Sequence, residues 1–280
     1  KFMKTNKLAM RIIFYVIFID SLSKMVGLIK NFSIAVFEIA EMTWKACVSL
    51  LFRPLYLDEI LHQMHRIGVG SLAIVLLTSF FTGLILAFQS GVAMAIFGAK
   101  MYVGTVVSLS MVLELGPMLA AIVIAGRVGA GIAAELGSMK VTEQIDAMRA
   151  LATDPIKKLV STRLVAGFIM IPALTFIGDF MGILGGAYVA VFQMSISYAI
   201  YQKTVIDMLY IEFLIIGAVK PFVFSVIIVI IGAWCGLTTK GGTEGVGRAT
   251  TNSVVIASIL ILVIDYFLNI LLFWILGISF

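Results

Sequence analysis

Four ionisable side chains interrupt apolar runs long enough to cross a bilayer: Glu114, Asp179, Lys220 and Asp265. A charge at the bilayer centre costs about 2.5–3.5 kcal/mol on insertion scales, so such groups face protein or a water-filled cavity. Two arrangements fit these residues. In one, Lys220 pairs with Glu114 or with Asp265, and the pair locks helices together. In the other, the groups line a polar pocket at mid-membrane that holds a charged ligand. One lysine cannot neutralise three acids, which favours the pocket. Pro221 directly follows Lys220, and Pro117 lies just beyond Glu114. A proline removes a backbone donor and bends its helix, which opens space beside each charge, though such kinks also serve plain packing.

Other chemistry is poorly supported. The phosphate-cradling pattern GxxxxGK[ST] is absent. Its nearest approximation, "GGTEGVGRAT", has Arg248 and Ala249 where a lysine and a hydroxyl are needed, and reads as a flexible turn. No cofactor is therefore expected in this chain. His62 and His65, in "DEILHQMHRIG", are spaced to share a metal, but no cysteine joins them. A solvated helix beside the membrane is the better reading, and no metal site is expected. Cys47 and Cys235 lie far apart in apolar surroundings and read as small core residues rather than a disulfide. No catalytic constellation emerges, so the chain is not expected to be an enzyme.

The most informative charged stretch is "GRVGAGIAAELGSMKVTEQIDAMRALATDPIKK". Val141, Ile145, Met148 and Ala152 share one face at helical spacing. Glu143, Asp146 and Arg149 lie elsewhere on the surface. Thr142 can cap the start, and Asp154-Pro155 stops the helix. The pattern predicts a short helix at about 142–152, outside the membrane and between two spans. It either rests on the bilayer surface or docks into a groove of a soluble partner.

The elements that carry these residues follow from composition. The chain has 280 residues, 61% hydrophobic and 12% charged, against about 25% charged in soluble domains. Continuous apolar runs rather than alternating ones indicate helices, not a barrel. Five spans are predicted. The first covers Ile67 to Ala99, about 50 Å as a straight helix, and Gly83 and Gly91 suggest a tilt, a break or a re-entrant end. The others fall at about 101–125, 164–191, 212–238 and 252–278, with loops at about 193–211 and at "TKGGTEGVGRATT". Gly178, Gly182 and Gly186 let helices approach closely, within or between subunits.

Residues 26–52 carry Glu38, Glu41, Lys45 and Ser49 as one polar stripe against Phe32, Val36, Ile39, Trp44, Cys47 and Leu51, ended by Arg53-Pro54. That fits a helix lying in the membrane interface, with a sixth span as the alternative. The basic residues before "IIFYVIFI" resemble a signal sequence, but "DSLSK" is a poor cleavage site, so the segment reads as retained. The resulting division is an N-terminal interfacial segment, 1–66, and a membrane domain, 67–280. Arg127, Lys140, Arg149, Lys157, Lys158 and Arg163 put the 127–163 connection and the N-terminus in the cytoplasm, with the C-terminus opposite. The net charge of +5 is spread over loops and does not suggest nucleic acid.

"LELGPMLAAIVIAGRVGAGIAAELGSMKVTEQIDAMRALATDPI" resembles the signature of the MlaE permease family. "VKPFVFSVIIVIIGAWCGL", "GGTEGVGRATT" and "VIDYFLNILLF" resemble its later blocks in the same order. The resemblance covers about residues 50–280. It implies an all-α integral membrane protein, with an N-terminal interfacial amphipathic helix, about five transmembrane helices and a short cytoplasmic coupling helix. It implies a homodimeric ABC-type permease of a bacterial inner membrane that moves phospholipids or related lipids between membranes. The implied partners are a cytoplasmic ATPase, a STAS-domain protein and a periplasmic ring of MCE-domain subunits. The family's pocket residues map to Glu114, Lys220 and Asp265. Its ATPase-coupling helix maps to Glu143, Ile145, Asp146, Met148 and Arg149. Two other classes remain: a proton-coupled secondary transporter using the buried acids, and a structural anchor for a periplasmic complex.

Overall fold

The computed structural model describes residues 27, 30, 33–50 and 56–277. Residues 1–26, with Phe32, Leu51 and the Arg53-Pro54 stop, lie outside them. The chain divides into two units, Lys1–Trp44 and Lys45–Phe280. In the first, 33–44 is helical (α1, which ends at 49), and Ile34, Val36, Phe37 and Trp44 are exposed.

Beyond α1, the second unit contains α2 (Leu57–Ile96), α3 (Lys100–Val141), α4 (Gln144–Ala150), α5 (Ile156–Phe192), α6 (Tyr198–Met208), α7 (Ile211–Leu237) and α8 (Gly242–Ile275). Five of these, α2, α3, α5, α7 and α8, are long and apolar enough to cross a membrane. The chain is an all-α integral membrane protein, with no strand among the described residues.

Helix α2 is unbroken over 40 residues, about 60 Å, so of the tilt, break or re-entrant end expected for this span, the break at Gly83 and Gly91 does not occur. Glycine costs about 1 kcal/mol in a helix, and here packing offsets it. Ser71, Val75, Ser79, Gly83, Ala87 and Gly91 are all buried and recur at helical spacing, a smooth stripe of small residues. Helix α5 lays its own glycines against it. A Cβ at Gly83 would overlap the Gly182 carbonyl, and one at Gly185 would meet the Phe80 carbonyl. The two backbones touch directly, and this pair is the most extensive helix contact in the chain. Of the expected glycine triad, Gly178 faces Ser79, Gly182 faces Met111 and then the Ser79 carbonyl, and Gly186 faces Tyr201 and Val107.

The helices overrun the expected membrane ends. Helix α3 continues to Val141 and α5 begins at Ile156, so the connection shrinks to 142–155. The charges taken to mark a loop are partly spent on one another. Glu135 on α3 pairs with Arg66 on α2, and with Arg163 on α5 at 2.9 Å. The expected loop at 193–211 contains α6. Tyr201 and Val205, one turn apart, are buried against Ala187 and Ala190, and the Tyr201 hydroxyl donates to the Ile183 carbonyl at 2.9 Å. Much of the glycine-rich "GGTEGVGRATT" is the first part of α8. The turn itself needs only Gly241 and Gly242, at φ +90° and +70°, a region open to glycine at no steric cost.

Candidate functional site

Helix α3 departs from α-geometry where Glu114 sits. Residues Met111–Leu115 form a π-turn, in which the Gly116 N–H reaches back to the Met111 carbonyl. Pro117 accounts for the local chemistry. In an α-helix the N–H of residue 117 would bond the carbonyl of residue 113, and proline has no N–H. The Leu113 carbonyl is thereby left for another donor, and the donor is Lys220 on α7, whose Nζ lies 2.5 Å away.

Lys220 makes two further contacts. Its Nζ lies 2.9 Å from Glu114 Oε2 on α3 and 3.0 Å from Asp265 Oδ1 on α8. The ammonium donates hydrogen bonds to the Leu113 carbonyl and Glu114, while Asp265 Oδ1 is held as an ion pair without a hydrogen bond. The sequence left open whether Lys220 meets Glu114 or Asp265; it meets both. The burial is asymmetric. The side chain of Lys220 is 0% exposed and that of Asp265 8%, whereas Glu114 is 41% exposed. Three helices thus bring two carboxylates to one cation, leaving an excess negative charge on the open side. One turn beyond Asp265, the buried Asn269 Oδ1 has no hydrogen-bond partner.

Asp179 on α5 does not join this cluster. It is 7% exposed and forms no ion pair among the described residues. Its buried Oδ1 has no hydrogen-bond partner and rests against Gly116, where a Cβ would overlap it. Asp179 therefore packs on the far edge of the π-turn, next to the turn but not next to Lys220.

The short helix is present as α4, tighter than the expected 142–152. Thr142 does not cap it: its hydroxyl donates to the Ser138 carbonyl at 2.9 Å. Glu143 turns the chain with φ +59°, and Ala152 closes the far end with φ +56°. Of the expected face, Ile145 is fully buried and Met148 partly, while Val141 and Ala152 stay exposed. Glu143, Asp146 and Arg149 are exposed. Asp146 bridges Lys140 at 3.1 Å and Arg149 at 2.9 Å. The hydrogen bond from Lys140, with the charges of both bases, holds the Asp146 carboxyl below its usual range. Asp154 accepts from the Ile156 N–H at 2.9 Å and so caps the start of α5. His62 and His65 lie on the first turns of α2, and no group of three metal-ligating side chains occurs among the described residues.

The sequence reading found every member of the Lys220 cluster but not the Leu113 carbonyl. The signal for it was Pro117, read one helical turn back.

Comparison with known proteins bears on what this arrangement does. Residues 60–271 match the family model described as Permease MlaE. A probable ABC transporter permease protein of Rickettsia typhi is 46% identical over 228 residues, covering 81% of this chain and 88% of its own. A probable ABC transporter permease protein of Synechocystis is 42% identical over 213 residues, 76% and 81% of the two chains. The intermembrane phospholipid transport system permease protein MlaE of Haemophilus influenzae is 34% identical over 212 residues, 75% and 81% of the two chains.

Proposed function

Because this chain belongs to the MlaE family of ABC transporter permeases, we propose that it moves a phospholipid or related lipid between membranes and that the Lys220 cluster holds the lipid headgroup. The observation that carries this reading is the unequal burial of the cluster. Lys220 is closed to solvent while its partner Glu114 is 41% exposed. A headgroup phosphate entering from the Glu114 side can replace one carboxylate with another anion at the same ammonium. Such an exchange buries no additional unpaired charge, the step that would otherwise cost most. Charge-assisted hydrogen bonds to phosphate are the strong ones, and the Leu113 carbonyl and Asp265 already hold the ammonium in place. The substrate class is also supported by the name of the Haemophilus influenzae relative.

Energy would come from a separate cytoplasmic ATPase that binds ATP and magnesium and docks on α4, through Glu143, Asp146, Met148 and Arg149, whereas Ile145, expected to join them, is fully buried and out of a partner's reach. Support comes from the exposure of Glu143, Asp146 and Arg149 and from the position of α4, joined by short connections to two spans. A push on α4 reaches α3 and α5 directly. The basic residues at this end, Lys140, Arg149, Lys157 and Lys158, support a cytoplasmic α4 and N-terminus with a periplasmic C-terminus, in a bacterial inner membrane. The interfacial segment, expected over 1–66, would be confined to residues before α2, which already begins at Leu57. A second copy of the chain, a STAS-domain protein and a periplasmic MCE-domain ring complete the proposed assembly.

The test is lipid co-purification and lipid transport by the reconstituted complex, comparing Glu114→Gln with wild type. Glu114→Gln is expected to assemble normally, to retain lipid because no carboxylate returns to Lys220 to displace the phosphate, and so to lose transport. Wild-type transport by Glu114→Gln would remove the headgroup role. So would a Lys220→Met/Asp265→Asn double variant that assembles and transports, since the charges would then be a structural bridge only.

A further inference from the structure

At the α4 end of the second unit, a separate ionic cluster lines a cavity of about 150 Å³ between α2 and α3, walled by Gln63, Arg66, Ile67, Arg127, Ile132 and Glu135. Its charges do not balance. Glu135 is shared between Arg66 and Arg163. Arg163 is 1% exposed and is further satisfied by the Leu159 carbonyl at 2.5 Å. Arg127 forms no ion pair among the described residues. Glu59, which does not line the cavity, accepts from the buried Gln63 amide at 2.9 Å. Among the residues lining the cavity, two guanidiniums, Arg66 and Arg127, therefore face one carboxylate, Glu135, which the buried Arg163 also draws on.

Arg127 is also fixed in place. Its Nη1 donates to the Ser71 hydroxyl at 2.7 Å and to the Arg66 carbonyl at 3.3 Å. Its guanidinium lies flat against Gly70, filling the space a Cβ would take. These bonds use one of the three guanidinium nitrogens. A second π-turn, Ala125–Gly129, carries it, and π-turns concentrate at functional positions. An unbalanced, immobilised guanidinium beside a second arginine in a cavity is an anion receptor, and the planar fork fits the oxygens of a phosphate. Arg127 sits about 21 Å along α3 from its Val141 end. On the outside of α2 near the cavity Leu61 is 63% and Val69 58% exposed, with the exposed His65 one turn from each. A ligand here meets phosphate-binding groups inside and two exposed aliphatic side chains, Leu61 and Val69, outside.

We propose that Arg66 and Arg127 form a second headgroup site, which binds the phosphate of a membrane lipid from the leaflet on the α4 side. This site shares no residue with the Lys220 cluster, which lies about 20 Å further along α3, and it does not depend on the transport reading.

The experiment is thermal melting of the purified full-length chain in detergent with added dioctanoyl phosphatidylglycerol, dioctanoylglycerol or inorganic phosphate. Dioctanoyl phosphatidylglycerol is expected to raise the melting temperature in a saturable way, and the other two are not. In Arg127→Gln the apparent affinity should fall about tenfold or more, with Arg127→Lys falling between. Should Arg127→Gln not fold, the Arg127→Lys and Arg66→Lys titrations give the same comparison. Equal titrations for wild type and the arginine variants would overturn the site. Stabilisation by inorganic phosphate equal to that by the lipid would overturn the lipid source, and stabilisation by dioctanoylglycerol would overturn the phosphate contact.

Discussion

Replacing Lys220 by methionine removes the cation and keeps most of the volume. It leaves Asp265, whose side chain is 8% exposed, without its cation, and it leaves the Leu113 carbonyl without the donor that stands in for the missing N–H of Pro117. Breaking a buried ion pair from one side costs about 3–5 kcal/mol, and an orphaned buried acceptor about 1–3 kcal/mol. The sum, about 4–8 kcal/mol, corresponds to a melting-temperature drop of roughly 8–32 °C at about 2–4 °C per kcal/mol. Adding Asp265→Asn removes the stranded charge and should recover the larger part, leaving a deficit of roughly 2–12 °C. Glu114→Gln should behave differently. Its side chain is 41% exposed, and exposed pairs contribute about 0–1 kcal/mol, so its shift should stay under about 4 °C. Melting of the purified complex, followed by tryptophan fluorescence, measures all three. A Lys220→Met protein within about 4 °C of wild type would refute the reasoning, as would a double variant no more stable than the single one.

Gly83→Val should abolish α2–α5 packing, because its side chain would enter the Gly182 backbone; the readout is loss of the monodisperse peak in size-exclusion chromatography. Asp179→Asn should melt at or above the wild-type temperature, since it keeps the shape that rests on Gly116 and removes a buried ionisable group with no ion pair among the described residues; a large drop would mean that its charge is compensated. Asp146→Lys breaks the bridges to Lys140 and Arg149 and should weaken ATPase capture in pull-downs while membrane insertion stays intact, whereas wild-type capture would remove the docking role of α4. Single cysteines at the exposed positions Ser138, Thr243 and Ser197, in a chain lacking Cys47 and Cys235, should label from the cytoplasm, the cytoplasm and the periplasm respectively; cytoplasmic labelling at Ser197 would overturn the orientation.

The membrane class and the five long helices were legible because apolar runs of this length have few alternatives. The Lys220 cluster was legible for the related reason that a charge inside such a run is costly and must have a partner. What periodicity could not supply was where each helix stops. Charge was read as a sign of water, yet Arg127, Glu135 and Arg163 sit inside helices that continue past them, two of them joined in one ion-pair network. Glycine was read as a sign of a turn, yet Gly245 is buried in α8 where its missing Cβ admits the Lys240 carbonyl. Helix α6 was missed because Tyr201 and Val205 give it only one short apolar face, which needs Ala187 and Ala190 opposite to have meaning. Asp179 was seen as a buried acid, but its distance from Lys220 depends on how α5 is rotated, which composition does not encode.

The contact between α2 and α5 also constrains how this molecule can move. Where Gly83 meets Gly182 and Gly185 meets Phe80, no side chain separates the two backbones, so no rotamer can adjust to absorb relative sliding. A shift by one residue would drive a side chain into the opposing main chain. These two helices are therefore kinematically welded, and any widening of the interior must open along another seam. The seam that α3 shares with α7 and α8 is fastened at its charged point by Lys220 and by a helix already loosened by one extra residue per turn. A clasp with one exposed partner can be undone by an incoming anion, so under the proposed headgroup role the cargo itself would be the key to its own compartment.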